Sequence, residues 1–200
     1  AAQHSQSLES WFMHVPGLIV AVPSSPYDAK GLLTTALNSS NPVVFLEHKL
    51  LYFLAGPVPE ESYSIPFGKA EVKREGEDIT VVATSAMVRK AIQAARKLQR
   101  KDISVEVIDP RTLAPLDMET IKKSVQKTGR ILVVHEACRF GGFGGEIVSS
   151  ICEQVFSSLK TPPERIGAPS TPVPYNQNLE LAYIPDEQDI IDKIEKMCDR

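Results

Sequence analysis

The sequence predicts an α/β protein built around mostly parallel sheets. Short continuous apolar runs, for example 18–22, 79–83 and 131–134, have the composition of strands that are covered on both faces. Longer segments between them carry apolar residues at spacings of three and four, which places those residues on one face of a helix. Of the 200 residues, 42% are apolar, enough to bury a core in one or two domains.

The first part of the chain, residues 1–52, alternates helices and strands. Ser25 followed by Pro26 is a typical helix start, and the strand–helix–strand order implies a right-handed parallel unit. The expected elements are a helix over 7–14, a buried strand over 18–22, a helix from 25 to about 38 and a second buried strand over 42–46.

Residues 53–66 are expected to form a linker, because prolines and glutamates crowd a stretch without sustained periodicity. Residues 67–200 then form a second α/β domain of about five strands. Ser85 is expected to cap one helix, and Gly129 to end another. The expected elements are an edge strand near 70–72, strands over 79–83, 105–108, 131–134 and 165–166, and helices over 85–98, 117–129, 147–156 and from 185 onward.

Two residue pairs at strand ends and one glycine-rich turn invite a functional interpretation. His135-Glu136 and Glu47-His48 each lie at the carboxyl end of a predicted parallel strand, the edge where open α/β sheets bind ligands. Either pair could supply a general acid or base, satisfy buried backbone groups or face a subunit. The stretch 141–145 fits a tight turn, an anion cradle or a close subunit contact, and its spacing matches no phosphate-binding loop.

Composition and spacing exclude several functional classes. The net charge of −3 gives no electrostatic footprint for nucleic acid, and the apolar runs are too short to span a bilayer. The four histidines lack zinc-ligand spacing, and the three cysteines, without a CxxC pair, are expected to be reduced thiols. The first residues lack the features of a secretion signal. We therefore expect no nucleic-acid partner and no membrane partner.

Longer blocks of sequence carry more information than these motifs. They are His4-Ser5-Gln6-Ser7, Trp11-Phe12-x-His14-x-Pro16-Gly17, Pro23-Ser24-x-Pro26-Tyr27-Asp28-Ala29-Lys30-Gly31, Asn41-Pro42-Val43-Val44-Phe45-Leu46-Glu47-His48-Lys49, Asp109-Pro110-Arg111-Thr112-Leu113, Lys127-Thr128-Gly129-Arg130 and His135-Glu136-Ala137. In this order and with little gapping, the blocks resemble the beta subunits of the thiamin-diphosphate-dependent first component of 2-oxo acid and acetoin dehydrogenase complexes.

The resemblance implies a transketolase-like pyrimidine-binding domain over 1–52 and a transketolase C-terminal-like domain over 67–200. It also implies an assembly of two alpha and two beta chains. Thiamin diphosphate with magnesium would lie between an alpha and a beta chain, and the acyl group would pass to a lipoyl-bearing acyltransferase component. The magnesium-diphosphate motif GDG belongs to the alpha subunit, and this sequence contains no GDG.

The family's beta-subunit glutamate, which bonds the aminopyrimidine, lies upstream of the His4 block. The chain is therefore expected to match the C-terminal two-thirds of a beta subunit and to be inactive alone.

Two sets of residues receive a role from the resemblance. His4 matches the family's histidine near the cofactor, which is implicated in acyl transfer to the lipoyl group, and imidazole can donate and accept protons at neutral pH. His4 is the expected catalytic and cofactor-binding residue, with a purely orienting role as the alternative. The turn after the second helix would bind potassium through main-chain oxygens of Ala36, Leu37, Ser39 and Asn41, with serine at 39 where many relatives have aspartate.

The sequence leaves the substrate and the compartment open. The stretches 11–14 and 167–175 are similar to acetoin dehydrogenase beta subunits, while pyruvate and branched-chain enzymes share most other blocks. The apolar, proline-rich segment 169–183 suits a partner contact. A non-catalytic module for subunit assembly and docking is the alternative to an enzyme subunit. The compartment would be the bacterial cytoplasm or, in a eukaryote, the mitochondrial matrix or plastid stroma.

We expect the isolated chain to dimerise or self-associate, because residues 1–66 provide only part of a parallel sheet and leave apolar surface uncovered. Light scattering on the purified chain should then give a mass well above that of the 22.0 kDa monomer. A single monomeric, well-dispersed species would contradict this expectation.

Overall fold

The computed structural model describes residues 4–198 as an α/β protein with two sheets. The helices are α1 (Glu9–Met13), α2 (Pro26–Leu37), α3 (Ala86–Leu98), α4 (Met118–Thr128), α5 (Gly144–Val155), α6 (Gln177–Tyr183) and α7 (Glu187–Cys198). The strands are β1 (Ile19–Ala21), β2 (Val43–Phe45), β3 (Glu71–Arg74), β4 (Ile79–Ala83), β5 (Val105–Asp109), β6 (Thr112–Ala114), β7 (Ile131–Cys138) and β8 (Glu164–Ala168). The outermost residues of the two predicted domains, 1–3 and 199–200, lie outside the described residues.

The larger sheet confirms the expected mostly parallel domain of five strands. Its order is β3-β5-β4-β7-β8, and every neighbouring pair is parallel except β3 with β5. Helices α3 and α7 cover one face, and α4 and α5 cover the other. All residues of β4 and β5 are therefore buried, which confirms the buried strand predicted over 79–83. The antiparallel β3 forms the partly wet edge expected near 70–72.

The smaller sheet joins the two parts of the chain. Its order is β2-β1-β6, with β1 and β2 parallel as predicted. Strand β6 comes from the second part and pairs antiparallel with β1, an element that the sequence analysis missed. Val20 and Val22 consequently share one apolar cluster with Ile108 and Leu113. The core is continuous across the predicted linker.

Three local predictions were wrong. Strand β2, expected to be buried, is only half-buried because it forms the edge of the smaller sheet. Ser85 precedes α3, but its backbone has φ 52° and its side chain makes no capping hydrogen bond. Phe156 lies beyond α5 in a 3-10 turn and is 72% exposed, so it does not belong to the apolar face of that helix.

Part of the segment 53–66 packs against α2. The ring of Tyr63 stacks on Tyr27 with 4.6 Å between centroids, and Ile65 is buried. Gly31 makes this approach possible, because a Cβ at that position would lie 2.6 Å from Ile65 Cγ1. The domain boundary within this segment stays a prediction.

A buried ion network ties α2 to the larger sheet. The carboxylate of Asp28 is fully buried in the first turn of α2 and accepts hydrogen bonds from Lys73 Nζ and Arg111 Nε, each at 2.8 Å. Burial alone would raise the pKa of Asp28, but hydrogen bonds from Lys73 and Ser25 lower it below its usual value. Asp28 is thus held ionised in the interior, where its charge is compensated by two cations from the second part of the chain.

A second buried carboxyl, Asp109, completes the network with the opposite pKa shift. Burial raises the pKa of Asp109 to about 6, although a hydrogen bond from Ser24 and the charge of Lys73 oppose the shift. The backbone N–H of Arg111 also donates to Asp109, at 2.9 Å. The folded protein therefore holds the proton of Asp109 more tightly than the unfolded chain does.

The raised pKa makes stability depend on pH at this residue. The stabilisation from the Asp109 proton is full below the ordinary pKa of 3.8 and is lost as the pH rises through about 6. Asp109→Asn should remove this loss of stability with rising pH. Between about pH 4 and pH 7.5, its free energy of unfolding should gain about 3 kcal/mol relative to the wild type, as measured by urea denaturation.

Asp117→Asn is the matched control, because the pKa of Asp117 is shifted the other way. Burial opposes ionisation there, yet hydrogen bonds from the backbone of Ala70 and from Thr120 lower its pKa. Its stabilisation is present above the ordinary pKa and is lost in acid, so this variant should lose stability relative to the wild type as the pH rises. If the free energy of unfolding depended on pH in the same way in both variants, the opposite pKa shifts assigned to Asp109 and Asp117 would be wrong.

Candidate functional site

A cavity of about 580 Å³ lies between the start of the described chain and the carboxyl end of β7. One wall is the segment 5–11, which includes the first turn of α1. The opposite wall comes from the stretch 136–142, the loop 170–173 and the end of α6. The carboxyl ends of parallel strands are where open α/β sheets bind ligands, so this cavity is the candidate site.

The His135 side chain lies behind the cavity wall, next to the lining residues Ala137 and Gly142. Its side chain is fully buried, its Nδ1 lies 3.0 Å from the carbonyl oxygen of Ala137, and its ring lies 4.8 Å from that of Phe143. Burial lowers the pKa of His135 to about 4, despite the bond to Ala137. The ring is therefore neutral at physiological pH, and its bond to Ala137 satisfies a backbone carbonyl. This is one of the two structural roles that the sequence left open.

The glycine-rich turn after β7 closes around this ring. A Cβ on Gly142, in this turn, would lie 2.5 Å from His135 Cε1, and one on Gly167, in the neighbouring strand β8, would lie 2.7 Å from the same atom. Gly141 has φ 69°, a left-handed backbone that glycine adopts without strain. The turn thus uses its glycines for tight turning and for close approach to His135. Anion binding by these glycines is not needed to account for them.

Glu136 and His48, singled out as two separate strand ends, form one pair. His48 Nε2 lies 2.9 Å from Glu136 Oε2, and Glu136 faces the cavity. Glu9 lies near both: burial raises the pKa of its carboxyl, and the charge of Glu136 raises it further, while His48 acts in the opposite direction. The structure therefore gathers three ionisable side chains at one end of the cavity.

A thiol and a phenol occupy another part of the cavity wall. The Sγ of Cys138 lies 3.5 Å from the hydroxyl of Tyr183 and 3.5 Å from the carbonyl oxygen of Pro169. Burial, followed by the hydrogen bond with Cys138, raises the pKa of Tyr183 to about 12. Tyr183 is therefore a protonated hydrogen-bond donor at neutral pH. No sequence motif indicated this pair, because Tyr183 belongs to α6, a helix that the sequence analysis missed.

His4, the predicted catalytic residue, is exposed at the edge of the cavity. Its backbone has φ 54°, and the next residue, Ser5, is already part of the cavity wall. The structure thus places the His4 block beside the cavity.

The predicted potassium turn lies apart from the cavity, at the end of α2. Ser39 N donates to Ala36 O at 3.1 Å, and Ser39 Oγ donates to Asn41 O at 3.2 Å. Leu37 is 79% exposed. Two of the four proposed carbonyl ligands, those of Ala36 and Asn41, therefore already accept hydrogen bonds within the turn.

Across residues 4–198, no helix has both the length and the apolar character needed to cross a membrane. Over the same residues, no three histidine, cysteine, aspartate or glutamate side chains cluster as a metal centre of those ligands requires.

Comparison with protein families agrees with this architecture. The family described as "Transketolase, C-terminal domain" matches residues 68–190, and "Transketolase, pyrimidine binding domain" matches residues 1–53. The chain therefore belongs to the transketolase family. The fold and the resemblance expected from the sequence blocks are confirmed at this level.

The similar individual proteins are beta subunits of an acetoin oxidoreductase or of pyruvate dehydrogenase E1. The chain is 48% identical over 185 residues to the beta subunit of acetoin:2,6-dichlorophenolindophenol oxidoreductase of Cupriavidus necator, covering 92% of this chain and 55% of that subunit. It is 44% identical over 198 residues to the pyruvate dehydrogenase E1 component subunit beta of Rickettsia felis, covering 99% and 61%. The mitochondrial beta-2 subunit of pyruvate dehydrogenase E1 from Oryza sativa is 45% identical over 203 residues, covering 100% and 54%. The chain spans 54–61% of the length of these relatives.

A solved structure, described as "Split gene transketolase, inactive beta4 tetramer", has the same fold. It superposes with a TM-score of 0.79 and 22% identity, covering 95% of this chain and 61% of that one. At this identity the likeness establishes the transketolase-like fold and nothing finer.

Gly142 offers a test of the packing below the cavity. Gly142→Ala should displace the His135 ring and destabilise the protein by about 1–3 kcal/mol, as overpacking does in a closed core. Gly145→Ala is the control, because its Cβ would meet only the flexible end of Arg165, at 3.1 Å. Alanine at this helical position should be neutral or stabilising by up to about 1 kcal/mol. Equal melting temperatures for the two variants would contradict the arrangement.

Proposed function

We propose that the chain acts within the beta subunit of a thiamin-diphosphate-dependent dehydrogenase. The enzyme would cleave acetoin or decarboxylate a 2-oxo acid and pass the acyl group to a lipoyl-bearing second component. The observation that carries the proposal is 44–48% identity to beta subunits of this class across 92–99% of the chain. It favours an enzyme subunit over a non-catalytic assembly module. Acetoin is the first substrate to test, because stretches 11–14 and 167–175 are similar to acetoin dehydrogenases.

The cavity fits the substrate side of the cofactor better than its diphosphate. Its wall offers the hydroxyls of Ser5 and Ser7 and the exposed rings of Trp11 and Phe140, while no lysine or arginine is among the described residues that line it. A diphosphate with magnesium calls for cationic or metal-binding groups, so we assign its binding to the alpha subunit. When bound, thiamin diphosphate supplies the electron sink for breaking the carbon–carbon bond.

His4 is proposed as the proton-transfer residue of acyl transfer. An imidazole exposed at the cavity edge can reach a lipoyl arm that enters from solvent, and it can give up or accept a proton near neutral pH. The hydroxyl-lined wall beside it, formed by residues 5–10, would orient the acyl group.

The proposed partners are an alpha subunit, a second beta subunit and the lipoyl-bearing acyltransferase. The segment 169–183 suits one of these contacts, because Tyr175 is 78% exposed and Leu179 and Leu181 are 59% and 66% exposed. Potassium at the main-chain oxygens of Ala36, Leu37, Ser39 and Asn41 is a further proposal. The compartment would be the bacterial cytoplasm or, in a eukaryote, the mitochondrial matrix or plastid stroma.

A chimeric beta subunit tests the function directly. This chain replaces the matching part of the Cupriavidus necator subunit, and the chimera is combined with that organism's alpha subunit, thiamin diphosphate and magnesium. Acetoin, pyruvate and branched-chain 2-oxo acids are compared by reduction of dichlorophenolindophenol. We expect acetoin-dependent turnover. An assembled tetramer that is silent on every substrate would overturn the proposal.

His4→Ala in the same chimera separates the two half-reactions. Dye reduction should be largely retained, while acyl transfer to a free lipoyl domain should fall about a hundredfold, the scale of a lost proton-transfer group. The control is His14→Ala, an exposed histidine at the end of α1, which should leave both rates unchanged. Equal effects of the two substitutions would remove His4 from the reaction.

A further inference from the structure

Glu9, His48 and Glu136 come from three separate elements and meet beside the cavity. Glu9 is the first residue of α1, His48 follows β2, and Glu136 lies in β7. The side chains of His48 and Glu136 are only 19% and 21% exposed, and Glu9 is 8% exposed. Three partly desolvated ionisable groups in one place are costly unless their protons and charges are matched.

The backbone fixes the tautomer of His48. The N–H of Leu50 lies 3.2 Å from His48 Nδ1. A backbone N–H can only donate, so Nδ1 must be the accepting, unprotonated nitrogen. The proton of the neutral ring is then on Nε2, which donates to Glu136 Oε2 at 2.9 Å. The geometry therefore selects one tautomer of the ring, with Nδ1 as the acceptor and Nε2 as the donor.

The pair also separates two cavities. Glu136 lines the larger cavity, and His48 lines a second one of about 210 Å³ between α2 and the 3-10 turn Lys49–Phe53. The charge of Glu136 also acts on two further groups: it opposes the burial that lowers the pKa of Lys90 of α3, and it adds to the burial that raises the pKa of Tyr183 of α6. The bond therefore joins the first part of the chain to the second at the wall of the candidate site.

We propose that the His48–Glu136 hydrogen bond, with Glu9 buried beside it, positions α1 and the preceding segment 5–8 against the end of β7. Both groups are positioning residues. The bond gives one oxygen of Glu136 a partner from within the protein, while the charge of Glu136 raises the pKa of the Glu9 carboxyl beside it. Because the segment begins next to His4, the bond also sets the place of that histidine, and this last step rests on the proposed function.

A spectrum of the 200-residue chain tests the pair without any activity. In nitrogen-15 histidine-labelled protein, His48 should show the Nε2–H tautomer and an imidazole N–H signal slowed in its exchange with water. Glu136→Ala should abolish that slow exchange and shift the backbone amides of residues 5–10. Glu136→Gln keeps an acceptor oxygen and should restore both signatures.

Glu47→Ala is the matched control. Glu47 precedes His48, is exposed and accepts a hydrogen bond from Tyr52, so its removal should leave the His48 ring and the amides of 5–10 unchanged. An Nδ1–H tautomer in the wild type would overturn the proposal. So would loss of the bond in Glu136→Ala without a change in the amides of 5–10.

The chimeric enzyme then tests the link to His4. Glu136→Ala should lower kcat for acyl transfer about ten- to a hundredfold with little change in KM, as expected when a reacting group is misplaced. Glu136→Gln should recover most of that rate. If the chimera has no activity at all, the proposed function fails while the spectra still decide the positioning role. If the spectra change as expected and kcat does not, the link to His4 is wrong.

Discussion

The carboxylate of Asp28 lies in the interior, and Lys73 and Arg111 from the second part of the chain reach it there. Removing one partner of such a buried group typically costs roughly 3–5 kcal/mol, because the remaining charge is left uncompensated. The network therefore fixes the position of α2 at the edge of the larger sheet. The placement of β1, the shared apolar cluster and the cavity all follow from that docking.

Local sequence signals predicted most of the helices and strands, but they did not predict how these elements pack together. Ser25 Oγ accepts from Asp28 N at 3.1 Å and Gly129 ends α4 at φ 77°, as their positions in the sequence predicted. Such signals work because they depend on neighbours along the chain. Strand β6 has only three residues, and its pairing with β1 is set by tertiary contacts. Strands β1 and β2 are equally short, but they lie within the apolar runs 18–22 and 42–46, whereas β6 is flanked by Arg111 and Pro115 and forms no such run.

The same difference between local signals and tertiary contacts is seen at the candidate site. His48 and Glu136 were each singled out because they follow predicted parallel strands, yet their separation of 88 positions in the sequence hid their pairing. Glu9 was not singled out, because a glutamate at a helix start normally reads as a favourable charge near the helix dipole. Cys138 and Tyr183 meet only through the fold around α6. The sequence indicated which residues could act at the site, but it did not indicate which residues remote in sequence lie close together.

Strand β6 also bears on how the chain is made. Strands β1 and β2 leave the ribosome before residues 46–111, and only then does β6 arrive to complete their sheet. At synthesis rates of about 5–20 residues per second, the delay is on the order of several seconds. During that interval the free edge of β1 is open to chaperones or to another nascent chain. Strands β1 and β2 are thus synthesised long before the strand that completes their sheet.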